Sequence, residues 1–253
     1  MPSRARKRRR KSWYFIWTVV FLLFLASLAS LIITLPVFKI QKVEVTGARL
    51  LSPESIIKLA GIPIGENIFM TRFNPALNRI RSISAVFEVK ISRRLPDTVL
   101  ITVKERKEAA VTVIDDQSVL VDEEGVILNP QKPEAIPIEL PDISNLPVIV
   151  GVKKEWIQDG ARLKGDVGES AARLLSEFKN YVSPHRLEID LTDSENIILI
   201  FDDTLRVKFG DAFKIDLKFR EFEAIYKKLK DKKDSIEYID VRYPGFPAVK
   251  FKS

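Results

Sequence analysis

The arrangement that most constrains this chain is a basic segment running straight into a long stretch without charge. Residues 4 to 11 read Arg-Ala-Arg-Lys-Arg-Arg-Arg-Lys, and no charged side chain follows from Ser12 to Phe38. From Trp13 to Leu35 only Thr18, Ser27, Ser30 and Thr34 interrupt aromatic, aliphatic and small residues. As a helix these residues rise about 34 Å, enough to cross a hydrocarbon core of about 30 Å. The cations in front resist translocation, so the N-terminus is expected in the cytoplasm and everything beyond about Pro36 on the far side. A cleavable export signal shares the basic start, but its apolar core spans only about 7 to 15 residues. Ser27-Leu28-Ala29 is a weak cleavage sequence, yet the apolar run continues past it to Leu35. An uncleaved single anchor is therefore expected, with Trp13, Tyr14 and Trp17 at the interface.

The formal charge of +7 points at first to nucleic acid, but its position removes that reading. The first twelve residues hold seven Lys/Arg and no acid, leaving 34 Lys/Arg against 34 Asp/Glu in the remainder. The exported part is thus balanced, and no basic surface interleaved with aromatics suggests a nucleic-acid platform. Its charge runs, Lys227-Lys228 and Lys232-Lys233, read as solvated helix ends. The chain has no cysteine and one histidine, His185, which excludes disulfides and leaves little room for metal chemistry.

Beyond the anchor, alternation predicts a first strand over Phe38–Thr46, ended by Gly47. Ser52-Pro53-Glu54 starts a helix that Gly61 stops, and Asn74-Pro75 repeats the start signal for a helix to Arg81. Phe87, Val89 and Ile91, then Val99, Ile101 and Val103, alternate as two strands across the Leu95-Pro96-Asp97 turn. The order is β-α-α-β-β. Strands are next expected at Ala110–Ile114 and Ser118–Val121, then Asp122-Glu123-Glu124-Gly125 turns into Val126–Leu128, followed by a proline-rich connector at 129–147. A helix fits Gly168–Tyr181, three strands fit Leu187–Leu191, Ile197–Phe201 and Leu205–Phe209, and an amphipathic helix fits Asp211–Lys230. That last helix is expected to turn Phe213, Leu217, Phe222, Ile225, Tyr226 and Leu229 inward. Strands Ile236–Tyr243 and Ala248–Phe251 end the chain. The fold class is α+β, with an anchor, a β-α-α-β-β unit, and a mixed β domain holding two helices.

Catalytic candidates are weak. His185 lies near Ser183 and Asp190 in sequence, but no glycine-flanked serine elbow supports a triad, and His185 reads as a loop residue. The pairs Asp115-Asp116, Glu123-Glu124 and Asp202-Asp203 occupy hairpin positions where acids are ordinary turn residues. The ten glycines are scattered singly, so there is no phosphate-binding loop. No cofactor, metal or small-molecule substrate is expected. The terminal hairpin is more informative: Pro244 and Pro247 disfavour a central strand, so it should lie at a sheet edge, where a partner strand can add.

The chain resembles the FtsQ/DivIB family of bacterial cell-division proteins. The resemblance rests on Phe38-Lys39-Ile40-Gln41-Lys42-Val43-Glu44-Val45-Thr46-Gly47, Gly65-Glu66-Asn67-Ile68-Phe69, Arg94-Leu95-Pro96-Asp97-Thr98-Val99 and Val103-Lys104-Glu105-Arg106. It continues through Val121-Asp122-Glu123-Glu124-Gly125-Val126, Leu146-Pro147-Val148-Ile149-Val150-Gly151 and Asp240-Val241-Arg242-Tyr243. Two departures are Lys107-Glu108, where the family often has proline, and Pro247 in the last hairpin. The resemblance implies a cytoplasmic tail at 1–12, a membrane helix at 13–35, a POTRA domain at 36–107 and a β domain at 108–253. It also implies a non-enzymatic divisome scaffold in the cytoplasmic membrane at the septum. Such a scaffold would be recruited through its POTRA domain and would bind FtsB- and FtsL-like bitopic proteins that control septal peptidoglycan synthesis. The matching partner-binding positions are Arg242 and Tyr243; Gly245, Phe246, Lys250 and Phe251 join them by proximity, and the competing reading is that Arg242 makes an internal ion pair and Tyr243 belongs to the core. The alternatives are a POTRA-containing envelope assembly or secretion component, which would normally carry further POTRA repeats or a barrel, and a membrane-tethered enzyme.

Overall fold

A computed structural model describes residues 5–128, 138, 141–158, 162–163, 165–178 and 186–252. Helix α1, Ala5–Ile33, runs through the basic segment and contains a stretch, Trp13–Ile33, long and apolar enough to cross a membrane. It ends two residues short of the expected Leu35. Pro36 is the reason: the residue before proline avoids the helical region, and Leu35 sits at φ −58°, ψ 144°.

The first strand, β1 (Lys42–Thr46), is shorter than expected. The backbone of 38–40 pairs instead with the loop at 65–68: Gly65 N–H donates to Ile40 O (2.8 Å) and Ile68 N–H to Phe38 O (2.9 Å). Helix α2, Pro53–Ala60, begins and ends as its local signals require. The Ser52 hydroxyl accepts the Ser55 N–H, and Gly61 adopts the left-handed conformation (φ 54°) that closes the last turn. Helix α3, Asn74–Arg81, begins at Asn74 itself with no side-chain cap, a small shift from the capping role expected of that residue. Strands β2 (Val86–Arg94) and β3 (Thr98–Glu105) complete a three-stranded sheet of order β1-β3-β2, with β1 and β3 parallel. A bulge between Val86 and Glu88 upsets the expected alternation. Val86 and Val89 are buried, while Phe87 faces solvent beneath the cations of Lys104 and Arg106.

The second sheet has eight strands. They are β4 (Glu108–Ile114), β5 (Gln117–Asp122), β6 (Val148–Val150), β9 (Leu187–Asp190), β10 (Ile197–Phe201), β11 (Leu205–Gly210), β12 (Ile236–Asp240) and β13 (Ala248–Phe251). A separate small hairpin pairs β7 (Ile157–Gln158) with β8 (Arg162–Leu163). The spatial order of the large sheet is β13-β12-β11-β10-β9-β6-β4-β5. Helices α4 (Gly165–Phe178) and α5 (Ile215–Lys228) share its core through Ala171, Leu174, Phe219 and Phe222, packed with Leu199, Phe201, Val207 and Phe209. The Phe201 and Phe222 rings lie 4.5 Å apart.

Helix α5 starts four residues later than expected, and its inward face changes accordingly. Ile215, Phe219 and Phe222 are buried, whereas Phe213 and Leu217 are exposed. Asp211 causes the delay: its carboxylate accepts the Phe213 N–H (3.1 Å) and the Lys218 ammonium (2.7 Å), holding 211–214 out of the helix. The acidic pairs do serve turns. Asp115-Asp116 (φ 49°, 61°) and Asp202-Asp203 (φ 49°, 63°) are left-handed at both positions, as two-residue hairpins demand. Lys233, expected at a solvated helix end, is instead half-buried against Asp202 at 2.5 Å. His185, Ser183, Tyr181 and residues 129–137 and 139–140 of the proline-rich connector lie outside the described residues.

The two sheets join tightly. Val111, Leu120 and Leu128 from the second contribute to the buried cluster of the first. Arg49 pairs with Glu108 of β4, and Arg106 bridges Asp122 (2.7 Å) and Glu124 (2.9 Å).

Candidate partner-binding edge at the C-terminal hairpin

The large sheet has two edges with different fates. Along β5 the chain folds back on itself: Leu128 N–H donates to Leu120 O (2.9 Å) and Asp122 N–H to Val126 O (2.9 Å), covering that edge. At the other end, β13 pairs with β12 on one side, and no described strand pairs with its outer side. An edge of this kind presents a row of backbone donors and acceptors.

The edge is positioned by alternation in β12 and the residues after it. Ile239 and Val241 point into the core, which turns Tyr238, Asp240 and Arg242 away from it; Ile236 is buried as well because the register shifts between Ile236 and Tyr238. Strand β12 runs parallel to β11, with Tyr238 opposite Arg206 and Asp240 opposite Lys208. It runs antiparallel to β13, with Tyr238 opposite Lys250 and Asp240 opposite Ala248. The Tyr238 ring lies under two ammonium groups, 3.8 Å from Lys208 and 5.7 Å from Lys250. Lys250 also pairs with Glu237 at 3.0 Å.

Between the strands, Tyr243-Pro244-Gly245-Phe246 forms a turn closed by the Phe246 N–H donating to Tyr243 O (3.0 Å). Proline at the second position and glycine at the third (φ 92°) match a type II turn. The Gly245 N–H donates to Glu221 of α5 at 2.6 Å, fixing the turn to the helix. The result displays Tyr243 at 68% exposure and Phe246 at 84%, with Phe251 at 46% on the outer strand. Residues Tyr243, Gly245, Phe246, Lys250 and Phe251 thus come together on this hairpin, and Arg242 sits at its base.

Arg242 is engaged within its own chain. Its Nε lies 3.0 and 3.1 Å from the two Asp240 carboxylate oxygens, and its Nη2 lies 2.6 Å from Oδ2. Burial alone would raise the Asp240 carboxyl, but the Arg242 bonds outweigh it and hold the group below the usual carboxylate range. The guanidinium carbon lies 5.7 Å from the Tyr243 ring centroid, so the pair also steadies that ring. A signal for this was present in the sequence, because residues two apart in an extended strand share a face. Glu221 was missed: it is 24 positions from Gly245, and nothing local marks it as a turn anchor. Among the described residues, no group of three or more His, Asp or Glu side chains is arranged to hold a metal ion.

Comparison with known proteins agrees with this architecture. The model of the FtsQ-type POTRA domain matches residues 38–106, and that of the FtsQ/DivIB C-terminal domain matches residues 110–242. The cell division protein DivIB of Clostridium botulinum (strain Hall) is 28% identical over 251 residues, covering 97% of this chain and 92% of that protein. The cell division protein FtsQ of Streptomyces bingchenggensis is 25% identical over 83% of this chain and 76% of its own length. FtsQ of Rickettsia felis is 35% identical over 88 residues, 35% of this chain and 33% of that protein. With an apolar N-terminal helix, an FtsQ-type POTRA domain and a matching C-terminal domain in that order, the chain belongs to the FtsQ/DivIB family of cell division proteins.

Proposed function

We propose that this division protein is a bitopic scaffold that acts by binding, with its N-terminus in the cytoplasm and its bulk outside, at the division septum. In this reading, residues 1–12 form the tail, 36–107 the recruiting POTRA domain and 108–253 the domain that holds FtsB- and FtsL-like partners. Through those partners it helps to control septal peptidoglycan synthesis. The observation that carries the reading is the open β13 edge beside the exposed Tyr243 and Phe246, since an added strand satisfies such an edge and aromatic anchors beside it give specificity. Within this site, Asp240 holds Arg242, whose guanidinium lies over the Tyr243 ring and can share its remaining donors with a partner carboxylate. Gly245 permits the turn, and Lys250 and Phe251 line the strand that receives the partner.

Tyr243→Ala tests the site. An exposed side chain contributes little to folding, so the melting temperature should stay close to that of the wild type. Pull-down of the FtsB-like partner should fall tenfold or more, because loss of an anchor costs about 2 kcal/mol or more. Unchanged binding would place the partner elsewhere.

A further inference from the structure

We infer that the loop 62–71 of the POTRA domain is a second membrane contact, laying Ile64, Phe69 and Met70 into the lipid headgroup layer at the exit of the spanning helix. Ile62-Pro63-Ile64-Gly65-Glu66-Asn67-Ile68-Phe69-Met70-Thr71 carries a single charge, at Glu66. Ile64 and Met70 are both at least 60% exposed, and Phe69 is also open. Three apolar side chains so exposed on one short loop are unusual unless something apolar receives them.

Depth decides what that is. The Asn67 side-chain amide donates to Ile33 O at 2.8 Å, so the loop touches the last residue of α1. Phe38, just after the helix, packs edge-on against Phe69 at 5.2 Å. If Trp13–Ile33 spans the bilayer, as the proposed anchoring requires, Asn67 lies at the level where hydrocarbon gives way to headgroups. Ile64 and Met70 are each three residues from Asn67, at most about 10 Å along the chain at full extension, a reach comparable with the headgroup layer's thickness of about 5 to 7 Å. The occupant of this surface is therefore lipid.

The display is built rather than loose. The loop is laddered to 38–40 by Gly65 N–H to Ile40 O, Ile40 N–H to Glu66 O and Ile68 N–H to Phe38 O. Arg93 of β2 reaches across to donate to Ile68 O (2.6 Å) and Thr71 O (3.2 Å). Exposed Lys39 and Arg72 flank the apolar tip, where cations meet lipid phosphates favourably. This contact would fix the tilt of the POTRA domain against the membrane, which a single helix and a short connection alone would leave free.

The absence of cysteine allows single nitroxide labels on the full chain without background. Labels at Ile64→Cys, Met70→Cys, Leu23→Cys (mid-span) and Glu195→Cys (an exposed turn of the second sheet) would be compared. The chain is reconstituted alone in phosphatidylethanolamine–phosphatidylglycerol vesicles, and collision with oxygen is measured against collision with a water-soluble nickel chelate. Ile64 and Met70 should show an oxygen-to-nickel ratio about threefold or more above Glu195, below that of Leu23. Ratios equal to that of Glu195, with Leu23 still in the core, would overturn the contact while leaving the anchor intact. A water-like Leu23 would remove the anchor and the contact together. Ratios that fall as protein is diluted in lipid would point to a second copy as the occupant, and would also overturn the lipid assignment.

Discussion

Lys218 shows how one side chain can set a boundary that local propensity does not. It is 1% exposed, yet charged, and its ammonium is held by the Asp211 carbonyl (2.9 Å) and carboxylate (2.7 Å) beside the Phe209 ring. The pair keeps 211–214 out of α5, which moves the helix phase and brings Phe219, rather than Phe213, into the core. Removing one partner of a buried charge is worse than removing the charge itself. Asp211→Ala should therefore cost about 2 kcal/mol, a value reduced from the fully buried case because Asp211 is half open to water. Lys218→Met should cost less than about 1.5 kcal/mol. Hydrogen bonding from Lys218 is the main cause that holds the Asp211 carboxyl below its ordinary value. A depressed carboxyl stabilises above its unfolded pKa of about 3.9 and loses that contribution as pH falls through the folded value. The melting-temperature gap between wild type and Asp211→Ala should accordingly be full at pH 7 and narrow towards pH 3. A gap independent of pH would show that the carboxylate charge contributes nothing.

Among the elements, those with complete local signals appear where the sequence places them. Helix α2 has its serine cap, its proline at the first helical position and its glycine stop all within ten residues, and it forms between them. The acidic hairpin turns behave in the same way, since Asp tolerates the left-handed region that the turn requires. Elements that depend on distant partners depart from expectation. Strand β1 loses its first residues to the 65–68 loop, and Phe87 is turned outward by a bulge against β3. The junction of the two sheets belongs to this second kind. Arg106 is the hinge of its polar network, joining β3 to Asp122 and Glu124, and the Asp122 side chain is nearly buried. Arg106→Ala would leave that carboxylate, among the described residues, with the Glu124 and Val126 backbone N–H groups. It should cost about 2 to 3 kcal/mol, seen as a lower urea midpoint with both sheets still unfolding together. Separate transitions for the two sheets would mean that Arg106, rather than the shared apolar cluster, couples them.

For the molecule as a whole, the first question is whether its N-terminal helix stays attached. The apolar stretch Trp13–Ile33 exceeds the core of an export signal, so the intact mass of the membrane-bound protein should correspond to an unprocessed helix. A mature species beginning at Ser30 would contradict the anchor, and with it the lipid contact of the 62–71 loop.

The sequence by itself determined what depends on neighbours along the chain: the apolar span, the β-α-α-β-β order, the turns, and the proline-flanked strand that ends up at an edge. Each follows from periodicity or backbone restriction over a few residues. The turn at 122–125 and the return at 126–128 that covers β5 were legible along the chain, but only the tertiary structure put β13 at the opposite end of the same sheet. It also decided that Glu221 holds the Tyr243–Phe246 turn and that Asn67 meets the end of the apolar helix α1, contacts spanning 24 and 34 positions. Such pairings carry no local signal, for they arise from the packing of whole elements whose separation in sequence is arbitrary.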